Sequence, residues 1–147
     1  MAQVKAIPEG YRTVTPFLSV DGAREAIAFY KKAFGAEERS IMAGPDGKVV
    51  HSEIKIGDSI VMIADPMMGP ATQAALHLYV QDVDATWTKA TAAGCQVMMP
   101  LADQPWGDRY GVVTDKWGNR WSMATHKEDV SPDEIKRRMD EAMKQRR

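Results

Sequence analysis

The chain carries the same plan twice, about sixty residues apart, and that repeat limits what it can fold into more than any other feature. An apolar run closing on Val20 leads into a helical stripe over Gly22–Phe34 that stops at Gly35. A second run closing on Val80 leads into another over Val83–Ala93 that stops at Gly94. Each helix is followed by three short strand-like runs, so both halves read βαβββ. A unit of this length cannot bury its apolar face alone and pairs with a copy of itself.

Local chemistry supports each element. Ala23, Ala26, Ile27, Tyr30, Ala33 and Phe34 fall three and four apart, the stripe of a helix packed on a sheet. The first module is expected as strands Thr13–Val20, Glu37–Ala43, Lys48–Ile56 and Ser59–Ala64, with Asp46-Gly47 and Gly57-Asp58 as hairpin turns. The second is expected as Ala74–Gln81, Cys95–Leu101, Arg109–Asp115 and Asn119–Thr125, with Asp82 capping its helix. Asp65–Gln73, rich in Pro, Gly and Met, joins the modules. Ser131-Pro132-Asp133-Glu134 opens a last helix to about Lys144, striped by Ile135, Met139 and Met143. The expectation is a single α+β domain over 1–147, with module one about 13–65, module two about 74–126 and a C-terminal helix about 132–144.

Composition narrows the partners. A formal net charge of −1 over 147 residues gives no general pull toward nucleic acid or anionic membranes. The basic residues Lys136, Arg137, Arg138, Lys144, Arg146 and Arg147 suit the end of a helix. No run reaches the roughly eighteen apolar residues of a spanning helix. Cys95 stands alone, which excludes an internal disulfide, and Met1–Tyr11 lacks the apolar core of a signal peptide, so the cytoplasm is the expected compartment.

Several stretches then resemble a known family. Val20-Asp21-Gly22-Ala23 leading to Ala28-Phe29-Tyr30 and Ala33-Phe34-Gly35-Ala36 is similar to the opening of the glyoxalase, bleomycin-resistance and extradiol-dioxygenase superfamily, the vicinal oxygen chelate proteins. His51-Ser52-Glu53-Ile54, Ile56-Gly57-Asp58-Ser59 and Tyr79-Val80-Gln81-Asp82-Val83-Asp84 resemble its PhnB-like branch. So do Trp106-Gly107-Asp108-Arg109-Tyr110-Gly111, Asp115-Lys116-Trp117-Gly118 and Trp121-Ser122-Met123-Ala124-Thr125-His126. The resemblance implies curved mixed sheets around a cleft with the helices outside, and a homodimer; the Met-striped last helix either lies on its own domain or crosses to the partner as an arm. It does not by itself name a reaction, because this fold hosts both metal-dependent enzymes and metal-free binding proteins.

Metal-dependent relatives place one ligand on the first and one on the last strand of each module. The offset of sixty carries those positions onto Thr15, Met62, Ala75 and Ser122. None is a His or a carboxylate, so no metal is expected there. No glycine-rich loop follows a strand to hold a cofactor, and none is expected. Alternation puts Thr15, Phe17, His51, Glu53, Lys55, Met62, Ala75, His77, Tyr79 and Ser122 on the cleft side, against Leu18, Ile54, Ile56, Leu76, Leu78 and Trp121 toward the helices. By the same offset Arg109, Gly111 and Val113 face the cleft.

The expected function is small-molecule binding, with an apolar or aromatic ligand held by Thr15, Phe17, Met62, His77, Tyr79, Trp106, Arg109, Tyr110 and Ser122. His51 and Glu53, two apart on one strand, suit proton transfer in a lyase or isomerase, or with His77 a displaced metal site. They also suit a hydrogen-bonded cavity wall with Lys55 pairing Glu53.

Overall fold

A computed structural model describes residues 3–146; Met1 of the N-terminal segment and Arg147 of the basic cluster lie outside the described residues. The elements are β1 (Phe17–Ser19), α1 (Ala23–Phe34), β2 (Glu37–Ala43), β3 (Val49–Ile56), β4 (Ser59–Ala64), β5 (Ala75–Tyr79), α2 (Val83–Ala93), β6 (Gln96–Asp103), β7 (Asp108–Thr114), β8 (Arg120–His126) and α3 (Pro132–Gln145). Two mixed sheets result, ordered β1-β4-β3-β2 and β5-β8-β7-β6, each with its first strand parallel to its last. The doubled βαβββ plan is therefore present as read from the repeat.

The helices form for the reasons their stripes give. Ala23, Ala26, Ile27, Tyr30 and Ala33 are all buried on one face of α1, while Arg24, Glu25, Lys31 and Lys32 stay in solvent. Their N-termini are finished differently. Asp82 caps α2 locally by accepting from Ala85 N at 3.1 Å, and Thr125 Oγ1 accepts from Val83 N at 2.9 Å. Gly22 has no side chain to cap α1, so Asp65 does it from the end of β4. Its Oδ1 accepts from Gly22 N and Ala23 N, and its Oδ2 from Val49 N at 2.7 Å. Burial opposes ionisation of Asp65, yet these three backbone donors outweigh it and hold its carboxyl below the usual range.

The modules are joined through their helix-facing sides. One core runs from Leu18, Ile54 and Ile63 through α1 to Val113, Trp121 and Met123, and α1 packs against α2. At its centre Tyr30 OH donates to Asp115 Oδ2 at 2.5 Å, and Trp121 Nε1 donates to the same oxygen at 2.9 Å. Phe34 lies on Trp121 with ring centroids 4.5 Å apart. A polar knot inside an apolar seam is satisfied on all sides, so it fixes the angle between modules at little desolvation cost.

Two expectations shift. The first strand was expected from Thr13, but only Phe17–Ser19 pairs. Thr15 instead turns back, its hydroxyl donating to Arg12 O at 3.0 Å. β7 also faces the other way. In module one Glu53 sits opposite Met62, and the offset of sixty predicts Val113 opposite Ser122; the partner of Ser122 is Val112. The β3–β4 hairpin turns with Ile56 opposite Ser59 and the β7–β8 hairpin with Thr114 opposite Arg120, a register one residue apart. One residue flips every side chain of the strand. Arg109, Gly111 and Val113 therefore face the helices, and Val113 is wholly buried.

The sheets do not join edge to edge. Between β5 and the β3–β4 turn lies a groove of about 500 Å³ whose walls include Val61, Leu76, Leu78, Phe34 and Trp121. No helix of the described residues is long and apolar enough to cross a membrane.

Candidate ligand faces

The side chains opposite the helices form two separate open faces, one per module. On module one, His51 and Glu53 project from β3 with Nε2 to Oε1 at 3.4 Å. Glu53 also meets Tyr11, whose hydroxyl is shielded from solvent and faces the carboxylate without a hydrogen bond of ordinary geometry. Tyr11 first, then His51, hold the Glu53 carboxyl below its usual range, while burial and that carboxylate push the Tyr11 phenol up to about 12. Glu53 thus takes Tyr11 and His51 as neighbours, where Lys55 was expected. Thr15 and Met62 share this pocket with Ile7, Pro8 and Arg12. Phe17 is displaced to a second shallow pocket with Met67 and Met68.

Module two presents an aromatic face around one carboxylate. Asp108, 3% exposed, accepts from Tyr79 OH at 3.2 Å and Trp106 Nε1 at 3.1 Å on Oδ2, while His126 Nδ1 lies 2.7 Å from Oδ1. His126 Nε2 is 2.7 Å from Asp129, so both ring nitrogens meet carboxylates, Asp129 and then Asp108 raising its pKa. His77 Nδ1 is 2.6 Å from Ser122 Oγ, and its ring stacks near Tyr110 at 5.8 Å and meets Tyr79 edge-on at 4.6 Å. Trp106 closes the row against Tyr110 at 5.5 Å. With Ser122 donating to Leu76 O at 3.3 Å, His77 Nδ1 is the donor and Nε2 is left as an acceptor.

The structure therefore gathers His77, Tyr79, Trp106, Tyr110 and Ser122 on one face, and His51, Glu53, Thr15 and Met62 on another. It does not bring His77 to His51 and Glu53. Arg109 joins neither: its guanidinium holds Asp84 of α2 at 3.0 Å and Asp103 at 3.4 Å on the helix side. Gly111 leaves room for Trp87 of α2 and none for a ligand, since an added Cβ would lie 2.5 Å from that ring. Asp108, His126 and Tyr11 were not anticipated as site residues. Asp108 was readable once the hairpin length was counted, because alternation from Val112 puts it inward. Tyr11 lies in a segment without periodicity, and nothing local marked it.

A divalent ion does not fit the four positions that metal-dependent relatives use. Met62 and Ala75 offer no oxygen or nitrogen, Thr15 donates within its own turn, and Ser122 is committed to His77 and Leu76. Among the described residues no group of three His, Cys, Asp or Glu side chains is placed to hold a metal.

Comparison with known proteins gives a consistent result. Residues 12–123 match the Glyoxalase/Bleomycin resistance protein/Dioxygenase superfamily. The uncharacterized protein Rv0887c of Mycobacterium tuberculosis is 42% identical over 138 residues, covering 86% of this chain and 81% of its own length. Among solved structures, TioX from Micromonospora sp. ML1 superposes with a TM-score of 0.64 at 25% identity, over 77% of this chain and 98% of TioX. The PhnB protein from Bacillus cereus superposes at 0.59 and 25% identity, over 78% and 99%.

Proposed function

The chain belongs to the Glyoxalase/Bleomycin resistance protein/Dioxygenase superfamily, and from that premise we propose that it binds a small flat aromatic molecule on the open face of module two without a metal. The observation that carries this reading is the row His77, Tyr79, Tyr110 and Trp106 fixed around buried Asp108. Tyr79 is 65% exposed although its hydroxyl is anchored, so its ring is held in place while its surface stays open. A platform organised in advance costs a ligand little ordering entropy, and each ring stacked on it gains about 1 kcal/mol. His77 Nε2 supplies an acceptor at the rim.

The test is a fluorescence titration with bleomycin, the drug to which the family's description names resistance, and with a panel of planar heteroaromatics. Tyr79→Ala and Trp106→Ala should each weaken binding about tenfold, which corresponds to about 1.4 kcal/mol. Saturable binding that both variants leave unchanged overturns the assignment to this face.

The protein is also proposed to act as a cytoplasmic homodimer. Each sheet has one face turned away from the helices, and a second copy that sets its module one over this module two, displacing the N-terminal segment, would convert two shallow faces into enclosed clefts. α3 supports the arm role, with Met139 and Met143 exposed by 47% and 65% and none of its residues buried. Sedimentation as a monomer at micromolar concentration counts against it.

A second reading, proton transfer in a lyase or isomerase, is favoured by the approach of His51 to Glu53. Under that reading His51→Ala abolishes turnover while leaving affinity within about twofold.

A further inference from the structure

The N-terminal segment does more than lead into β1. Lys5–Thr15 folds on itself: Lys5 pairs with Glu9 at 2.6 Å, Tyr11 N donates to Pro8 O at 3.1 Å, and Thr15 donates to Arg12 O. Among the described residues none of its backbone groups bonds to the sheet. It touches module one through side chains and one close backbone approach. Tyr11 stands over Glu53, and Gly10 passes so near the sheet that an added Cβ would lie 3.2 Å from Arg39 Nη1 and 3.3 Å from Ile60 Cδ1. Gly10 has φ +86°, a conformation that side chains with a Cβ rarely adopt. Ile60 is only 4% exposed, although it lies on the open side of the central β3–β4 pair, opposite Lys55.

We infer that Lys5–Thr15 is a strap occupying the open face of module one, and that it competes with any molecule or partner surface that would reach Glu53 and Ile60. The geometry supports a displaceable occupant in three ways. The strap's own hydrogen bonds are internal, so lifting it breaks no ladder. The Tyr11 hydroxyl, buried without a well-formed partner, gains a hydrogen bond to water when released. Ile7 and Val14 remain 47% and 82% exposed, so little of the strap's own aliphatic surface anchors it. The result is an asymmetric molecule in which module two presents its face freely and module one presents its face only when the strap lifts.

Gly10→Val is the direct test, because a β-branched residue at positive φ against Ile60 forces the strap away. The probe is 8-anilinonaphthalene-1-sulfonate, followed by its fluorescence and by the methyl resonances of Ile60 and Met62. Relative to the parent protein, Gly10→Val should raise probe binding severalfold, with shifts at Ile60 and Met62. The tyrosine ionisation step near 12 should fall toward the ordinary value of about 10. Tyr11→Ala, which keeps the Gly10 conformation, should raise probe binding in the same way if Gly10→Val does not fold. Unchanged probe binding in both variants, or added binding whose shifts map to Tyr79 and Tyr110, overturns the strap. Loss of ligand stacking in the Tyr79 and Trp106 variants leaves this result unaffected, so the two readings fail separately.

Discussion

Modules one and two share a backbone plan and almost nothing of their surface chemistry. Module one offers an acid and a base beneath its own N-terminal strap; module two offers four aromatic or imidazole rings around a buried carboxylate. Even their helix starts differ, one finished by Asp65 from a distant strand and the other by its own Asp82. The pairing of sheets and helices follows from apolar periodicity that both halves keep. What faces outward is under no such constraint, so the two halves share a scaffold and differ in surface chemistry.

The comparison breaks hardest at the caps. Asp65→Ala strands three buried or half-buried N–H groups and should cost about 4 kcal/mol in denaturant unfolding. Asp82→Ala, which removes a local cap, should cost only about 1 kcal/mol. Equal losses would show that the two helix starts are alike after all. The same carboxylate sets a pH dependence. Its folded pKa is depressed, so its contribution is complete above the unfolded value of about 3.9 and is lost as pH falls through the folded one. Acid unfolding of Asp65→Asn should lack that contribution.

The next test bears on the flipped strand. Gly111→Ala drives a methyl into Trp87 and the Leu101 backbone, and should destabilise by about 2 kcal/mol. His51, at the corresponding place in module one, faces outward, and His51→Ala should change stability by less than about 0.5 kcal/mol. The smallest effect is expected from Arg109. With its guanidinium on Asp84 and Asp103, Arg109→Ala should leave affinity for a planar aromatic probe within about twofold. A tenfold loss would return Arg109 to the ligand face.

Much of the site was legible. His77, Tyr79 and Ser122 were placed correctly on one face because β5 and β8 keep the sixty-residue offset, so alternation carried over intact. Arg109 failed because the β7–β8 turn changes the register by one residue, and a period of two has no tolerance for that. Thr15 was read as a strand residue from β-formers in Thr13–Val20, yet Pro16 and the turn at Arg12 end the pairing before it.

By itself the sequence determined the doubled module, the buried face of α1, the positions of most strands and the residue types at the four positions that metal-dependent relatives use. These follow from periodicity and residue type, which act over a few neighbours along the chain. Only the tertiary structure decided that the polar residues divide between two faces, that Asp108 organises the aromatic row, and that Tyr11 settles over Glu53. Those outcomes depend on the angle fixed by Tyr30, Asp115 and Trp121, on one residue in a hairpin, and on an aperiodic segment packing at long range. No local pattern encodes them, because each is set by contacts between residues far apart in the chain.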